Sequence, residues 1–309
     1  MTKSSLDRRN DSRSVDPSQW ATEILACACE EVNVDPTGAR LIKFTNNAVF
    51  ALATAPIVVR IAGSTVVRER VRKVVGVARW LAEHDMPAVR LINDFPQPLH
   101  VNEVAVTFWH RVDSPDATCQ PDGRDLGRIL RKFHSLNPPD MELPVWNPLK
   151  GIRQRIDQQE ILTGYDYRYL LRICDEVEED LSRVEYFMPH GPIHGDGFAG
   201  NLISGPDGVV ICDFDSTALG PREWDLTPLA VGRLRFRYPV NYHEQLVSEY
   251  GVDIMAWPYF PVLRRLRELQ LVTSVLPVLS ANPNLYDQWH HRFTSFRDND
   301  TCAVWTPYK

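Results

Sequence analysis

The sequence predicts an α+β fold, a strand-rich N-terminal part followed by a mostly helical C-terminal part. Two observations set that order. Runs of strand length separated by turn residues fill positions 40–62 and 99–109, and apolar residues at helical spacing dominate from 126 onward. A third observation places the change between them, because His110–Asp122 is polar and turn-rich and reads as a hinge. The expected division is a disordered tail at 1–15, an N-terminal lobe at 16–112 and a C-terminal lobe at 113–309.

Asp16-Pro17-Ser18-Gln19 supplies an N-cap carboxylate, a proline at the first helical position and a glutamine three residues after the cap. That combination starts a helix to about Val32, which Asp35-Pro36-Thr37-Gly38 stops. Arg40–Phe44 and Ala48–Thr54, joined by Thr45-Asn46-Asn47, read as a hairpin, and Pro56–Ala62 as a third strand with Arg60 inside it. Ser64 caps a helix to about His84 with an apolar stripe of Val67, Val71, Val74, Ala78 and Leu81; Glu69, Lys73, Gly76 and Trp80 share another face. Val89–Ile92, Leu99–His100 and Val104–Trp109 read as further strands, so the expectation is an antiparallel sheet of about five strands with one principal helix on it. Beyond the hinge, Leu126, Ile129, Leu130, Phe133 and Leu136 make one helical face. Tyr167–Phe187 makes another, built on Leu170, Cys174, Val177, Leu181 and Val184, and the chain from Trp224 onward reads as mostly helical.

Composition narrows the function. A net charge of -6 argues against general binding to nucleic acid or anionic membranes, and no segment has the unbroken apolar length of a membrane span. The polar first fifteen residues lack the apolar run of a secretory signal. The six cysteines form no CxxC pair and no zinc-like spacing, so they read as reduced thiols of a cytoplasmic protein. No obligate protein partner is evident.

Chemistry concentrates in Pro192–Asp215, where a glycine-bearing loop holds His194, Asp196 and Asn201. Two apolar runs joined by Gly205-Pro206-Asp207-Gly208 follow, a hairpin that would return Asp213 towards Asn201. Oxygen ligands of that kind suit Mg²⁺. Phosphoryl transfer needs such ligands for the phosphates and a carboxylate near the attacking hydroxyl. Asp-x-x-x-x-Asn followed by a metal-binding Asp is also the pattern of a kinase catalytic loop, with Gly195 here in place of the protein-kinase arginine.

With His194-Gly195-Asp196, Asn201, Ile211-Cys212-Asp213-Phe214-Asp215, Gly220-Pro221 and Trp224-Asp225-Leu226, the sequence resembles the aminoglycoside phosphotransferase (choline kinase-like) family of small-molecule kinases. The resemblance covers nearly the whole chain and implies a protein kinase-like two-lobe fold. It implies that Asp196 is the catalytic base, that Asn201 and Asp213 bind Mg²⁺, and that Asp225 braces the catalytic loop, with His194 as a structural hydrogen bonder. It further implies ATP as donor, with GTP as the alternative, met by Arg60 on the third strand with Glu69 as its ion-pair partner. The turn holding Asn46 and Asn47 would cover the phosphates. Trp109 and His110 would line the adenine, although an aromatic strand end in a core reads nearly as well. Asp215 is a candidate contact to substrate or metal. Two positions depart from the family: Phe198 stands where histidine is common, and Arg60 where lysine is, which offers phosphate a planar fork instead of a point charge.

Two alternatives compete. Asp213-Phe214-Asp215-Ser216-Thr217 also resembles the first motif of haloacid dehalogenase-type phosphatases, with Asp213 as nucleophile. That chemistry needs a downstream lysine, and after Asp215 the only one is Lys309. A nucleotide-binding module without activity is the other alternative; such a chain loses the base or a metal ligand, and here all three are present. The acceptor is expected to be a hydroxyl of an aminoglycoside, amino sugar, nucleoside or related molecule. From Val231 to Lys309 nine Lys/Arg face seven Asp/Glu, so no acidic excess favours a polycation there. The same region is rich in aromatics, namely Trp257, Tyr259, Phe260, Tyr286, Trp289, Phe293, Phe296 and Trp305, which suits sugars or nucleobases if the rings are not core.

Overall fold

The computed structural model describes residues 17–44, 47–63, 65–114 and 120–308, with backbone alone at 17–18 and 65–69. The expected tail, the caps at Asp16 and Ser64, Asn46 in the first turn, and the side chains of Val67 and Glu69 lie outside the described residues. The chain divides into two compact units: residues through 75 with 90–111, and residues 76–89 with 112–309.

In the first unit, α1 (Pro17–Glu31) precedes the strands β1 (Arg40–Phe44), β2 (Asn47–Ala51) and β3 (Ile57–Ala62). Helix α2 (Thr65–Glu83) begins here, and β4 (Leu99–Val101) and β5 (Val104–His110) complete an antiparallel five-stranded sheet of order β1-β2-β3-β5-β4. Side chains alternate across the pleat. Ala48 and Phe50, Val59 and Ile61, Val106 and Phe108 therefore point to one face, where they form a core with Ala21, Ile24, Leu25, Ala28 and Cys29 of α1. Among the described side chains, the helix that shares the sheet's core cluster is thus α1, not the longer α2 that the sequence suggested.

The second unit continues from α2 through α3 (Gly123–Phe133), α4 (Pro148–Asp157), α5 (Gly164–Ser182), β6 (Gly191–Ile193), β7 (Leu202–Gly205), β8 (Gly208–Ile211) and β9 (Ala218–Gly220). It ends with α6 (Glu223–Phe236), α7 (Tyr242–Tyr250), α8 (Phe260–Thr273), α9 (Leu276–Leu279) and α10 (Tyr286–Arg297). Its core joins Leu149, Ile152 and Ile156 to Leu170, Cys174 and Val177, to Leu263, Leu266 and Leu269 of α8, and to Trp289 and Phe293 of α10. Of the eight C-terminal aromatics, Phe260, Trp289, Phe293, Phe296 and Trp305 are buried, so most of the set is core. No helix among the described residues is long and apolar enough to cross a membrane.

Tertiary bonds explain where the observed elements depart from the sequence pattern. Helix α5 starts three residues early because Thr163 caps it, its hydroxyl accepting from Asp166 N–H at 3.1 Å. It stops at Ser182 instead of Phe187, and the N–H groups of Phe187 and Met188 donate to Glu223 Oε1 at 2.9 and 2.8 Å. Val89–Ile92 is no strand: Val89 N–H donates to Ile211 O, whereas Ile92 N–H donates to Phe108 O, and no ladder forms with either. Trp80, on the second face of α2, is 4% exposed and stacks edge-on to Phe133, whereas Lys73 and Gly76 on that face are half-buried.

Helix α8 is fixed by a buried ion pair besides its leucines. Arg235 of α6 donates from Nε and Nη2 to both oxygens of Glu268, at 2.7 and 2.8 Å, and its guanidinium lies 4.5 Å from the Trp305 ring centre. Removing one partner of a buried pair leaves the other charge uncompensated. Glu268→Ala should therefore lose about 3–5 kcal/mol in urea denaturation. A loss below about 1 kcal/mol would show the pair to be dispensable.

Candidate active site

The site grows out of the β7–β8 hairpin. Leu202 pairs with Ile211 and Gly205 with Gly208, leaving Pro206-Asp207 as the two-residue turn that the sequence indicated. This register sets the two hairpin ends side by side, and Cys212 N–H donates to Asn201 O at 2.9 Å. Asn201 closes the loop from within, its side-chain nitrogen donating to Asp196 O at 3.0 Å. That bond turns the amide so that the carbonyl oxygen is the end left for a ligand. The strand ends at Ile211, so Asp213 and Asp215 lie past it rather than on it. Asp213 has φ 68° and ψ 72°, left-handed backbone that an aspartate rarely adopts, and a 3₁₀ turn over Phe214–Ser216 carries Asp215.

His194, fully buried, ties the loop to the hairpin. Its Nε2–H donates to Cys212 O at 3.0 Å, and its Nδ1 faces Asp196 N–H at 3.4 Å. Gly195 adopts φ +83°, and a Cβ there would run into the Ser216 carbonyl, so the tight approach requires glycine.

Helix α6 secures the loop from below with two carboxylates in its first turn. Asp225, fully buried, accepts from His194 N–H at 2.6 Å on Oδ2 and from Gly195 N–H at 2.7 Å on Oδ1. His134 Nε2–H donates to Asp225 Oδ2 at 3.0 Å, while its Nδ1 lies 2.8 Å from the Tyr250 hydroxyl. Burial and the Asp225 charge push that phenol up to about 12. Glu223 holds the backbone at 187–188, so the two carboxylates grip the chain on both sides of β6. Trp224 between them donates from Nε1 to Gly195 O at 2.9 Å. Neither Glu223 nor His134 stood out in the sequence; the acidic pair at a helix start was the available signal for Glu223, and His134 carried none.

Sequence reasoning also missed Arg267. From α8 its Nη1 donates to Asp196 Oδ1 at 2.9 Å and to Gln270 Oε1 at 2.7 Å. Arg264-Arg265-Leu266-Arg267 is visible as a basic cluster, but which member turns to the loop depends on the helix rotation.

Among the described residues no group of three or more His, Cys, Asp or Glu gathers to hold a metal. The candidate set of one Asp and one Asn fits Mg²⁺ even so, because that ion keeps several waters and takes its remaining ligands from substrate phosphates.

In the first unit, Asn47, Arg60 and Trp109 occupy the sheet face opposite the α1 core. With its amide oxygen towards the guanidinium, Asn47 accepts from Arg60 Nε at 3.3 Å and from Nη2 at 2.7 Å. Trp109 is 7% exposed and donates from Nε1 to Thr107 Oγ1 at 2.9 Å, so its ring is built into the unit, while His110 is exposed. The Glu69 side chain and Asn46 lie outside the described residues.

The model of the Phosphotransferase enzyme family matches residues 41–269. The fold is shared with a choline/ethanolamine kinase family protein from Mesorhizobium loti, at 17% identity over 89% of this chain and 94% of that one, with a TM-score of 0.59. Amicoumacin kinase hAmiN, solved with AMP-PNP, Ca²⁺ and Ami, aligns at 13% identity over 92% of this chain and 98% of that one, TM-score 0.66. The GDP and kanamycin complex of APH(2")-IIia aligns at 13% identity over 91% and 99%, TM-score 0.62. No curated protein matches the sequence.

Hydrogen bonds to a buried carboxylate are strong, at about 1.5–3 kcal/mol each. Asp225→Asn should therefore speed amide exchange at His194 and Gly195 by about tenfold or more, each 1.4 kcal/mol being a factor of ten. Unchanged protection at both amides would place the loop's restraint elsewhere.

Proposed function

The chain belongs to the phosphotransferase enzyme family and is a small-molecule kinase, and on that premise we propose that it moves the γ-phosphate of ATP to a small-molecule hydroxyl in a Mg²⁺-dependent reaction. One observation carries the reading. The hairpin pairs Leu202 with Ile211, and Cys212 bonds to Asn201, so Asp213 follows the residue joined to Asn201, which is itself bonded to the residue that would act as base, Asp196.

In this reading Asp196 takes the hydroxyl proton as the new O–P bond forms and the bond to the nucleotide diphosphate breaks. Asn201 and Asp213 would hold Mg²⁺, which when bound neutralises charge on the phosphates. His194 and Asp225 keep the base in register with those ligands through the backbone of residues 194–196. Arg60, fixed by Asn47, is the candidate for the non-transferred phosphates, with Glu69 as its expected partner. Trp109 would act at the adenine through its position and not as a free ring, and exposed His110 is the neighbouring candidate. Neighbours of the same fold were solved with AMP-PNP and with GDP, which supports a nucleotide donor and leaves GTP as the alternative to ATP. Kanamycin and Ami in those complexes support a small organic acceptor here. Asp215, on the turn after Asp213, remains the candidate contact to substrate or metal.

ADP release measured across amino sugars, nucleoside antibiotics and aminoglycosides tests the proposal. Wild type should turn over with Mg²⁺ and stop with chelator. Asp196→Asn should lose about 10²–10⁴-fold in kcat while still binding a non-hydrolysable ATP analogue. Asp213→Asn should raise the Mg²⁺ concentration needed for half-maximal rate. Equal rates in wild type and Asp196→Asn would remove Asp196 as the base.

A further inference from the structure

Building on the kinase reading, we propose that Arg267 orients the base and selects a neutral or acidic acceptor, one without an amine beside the reacting hydroxyl. The ion pair is specific at the level of single oxygens. Arg267 Nη1 takes Asp196 Oδ1 at 2.9 Å, and among the described residues no donor reaches Oδ2. One carboxylate oxygen is thus held and the other is left for the acceptor hydroxyl. Phe198, two residues after the base, offers no polar atom to do this, and Gly200 has no side chain.

Arg267 is itself held. Its side chain is 10% exposed, and Gln270 shares Nη1 at 2.7 Å. The next residue, Glu268, is locked to Arg235, and Arg265 reaches Glu176 on α5 at 2.6 Å, so α8 cannot rotate without breaking both pairs. The guanidinium is therefore a fixture of the site.

Such a fixture changes what the base attracts. A lone carboxylate draws an ammonium towards the reacting hydroxyl, whereas here the charge of Asp196 is already compensated by a cation in contact with it. An amine beside the hydroxyl gains no attraction from Asp196 and meets the guanidinium; a hydroxyl, amide or carboxylate in the same place meets a donor.

The test compares glucosamine, N-acetylglucosamine and glucuronate as acceptors with Mg-ATP, in wild type, Arg267→Gln and Arg267→Lys. Wild type should favour N-acetylglucosamine or glucuronate over glucosamine by about tenfold or more in kcat/KM. Arg267→Gln should erase that preference mainly through a lower KM for glucosamine, and Arg267→Lys should restore part of it. A wild-type preference for glucosamine, or a preference that survives in Arg267→Gln, overturns the proposal. If none of the three sugars is phosphorylated, water serves as the acceptor. Slow Mg-ATP hydrolysis should then fall about tenfold in Arg267→Gln and recover in part in Arg267→Lys, and an unchanged rate overturns the orienting role. A wild type that neither binds nor hydrolyses Mg-ATP overturns the kinase reading itself, a result separate from any effect of Arg267.

Discussion

A single buried carboxylate sets the geometry on which the rest of the site depends. Asp225 has no exposure to water, so its charge is tolerable only if the protein supplies donors. It receives three, from the backbone of His194 and Gly195 and from His134. The two backbone donors belong to a loop that has just left β6, and they have no strand partner there. The same bonds therefore solve two problems, the desolvated charge and the orphaned amides. Because the acceptor sits at the start of α6, the positive end of the helix further offsets its charge. Glu223 does the same for the chain ahead of β6, so one helical turn positions both flanks of the strand.

From there the order passes along the backbone. Gly195 permits the loop to bend against Ser216, His194 bonds across to Cys212, and Cys212 bonds to Asn201. Asp213 comes next in a left-handed conformation that costs on the order of 1 kcal/mol or more. Strain at that residue is tolerated because the hairpin before it and the turn after it are both fixed. The first unit shows a simpler form of order. Strict alternation along β2 and β3 sends Ala48, Phe50, Val59 and Ile61 into the core with α1, which leaves Asn47 and Arg60 on the opposite face to meet each other.

What was legible in the sequence follows the range of the forces involved. The β7–β8 hairpin could be read because its turn residues and flanking apolar runs are contiguous, and its register then brings Cys212 to Asn201. The five-stranded sheet was legible for the same reason, apart from Val89–Ile92, whose composition suits a strand but whose hydrogen bonds go to two different partners. Helix α2 has the pattern of a principal packing helix, yet α1 fills the sheet's core cluster, because amphipathicity says that a face is buried and not against what. Trp109 shows the same limit, since an aromatic at a strand end suits a ligand or a core and only packing decides.

Arg267 lay beyond that range altogether. Seventy-one residues separate it from Asp196, and the three arginines within four positions are equivalent in sequence. What distinguishes them is the rotation of α8. Leu263, Leu266 and Leu269 turn one stripe of the helix inward, and Glu268 must face Arg235 because neither charge could be buried alone. At 100° per residue, fixing Glu268 also fixes the direction of the residue before it, and that direction is towards Asp196. The pairing of Asp196 with Arg267 is thus a consequence of a buried ion pair on a different face of the same helix.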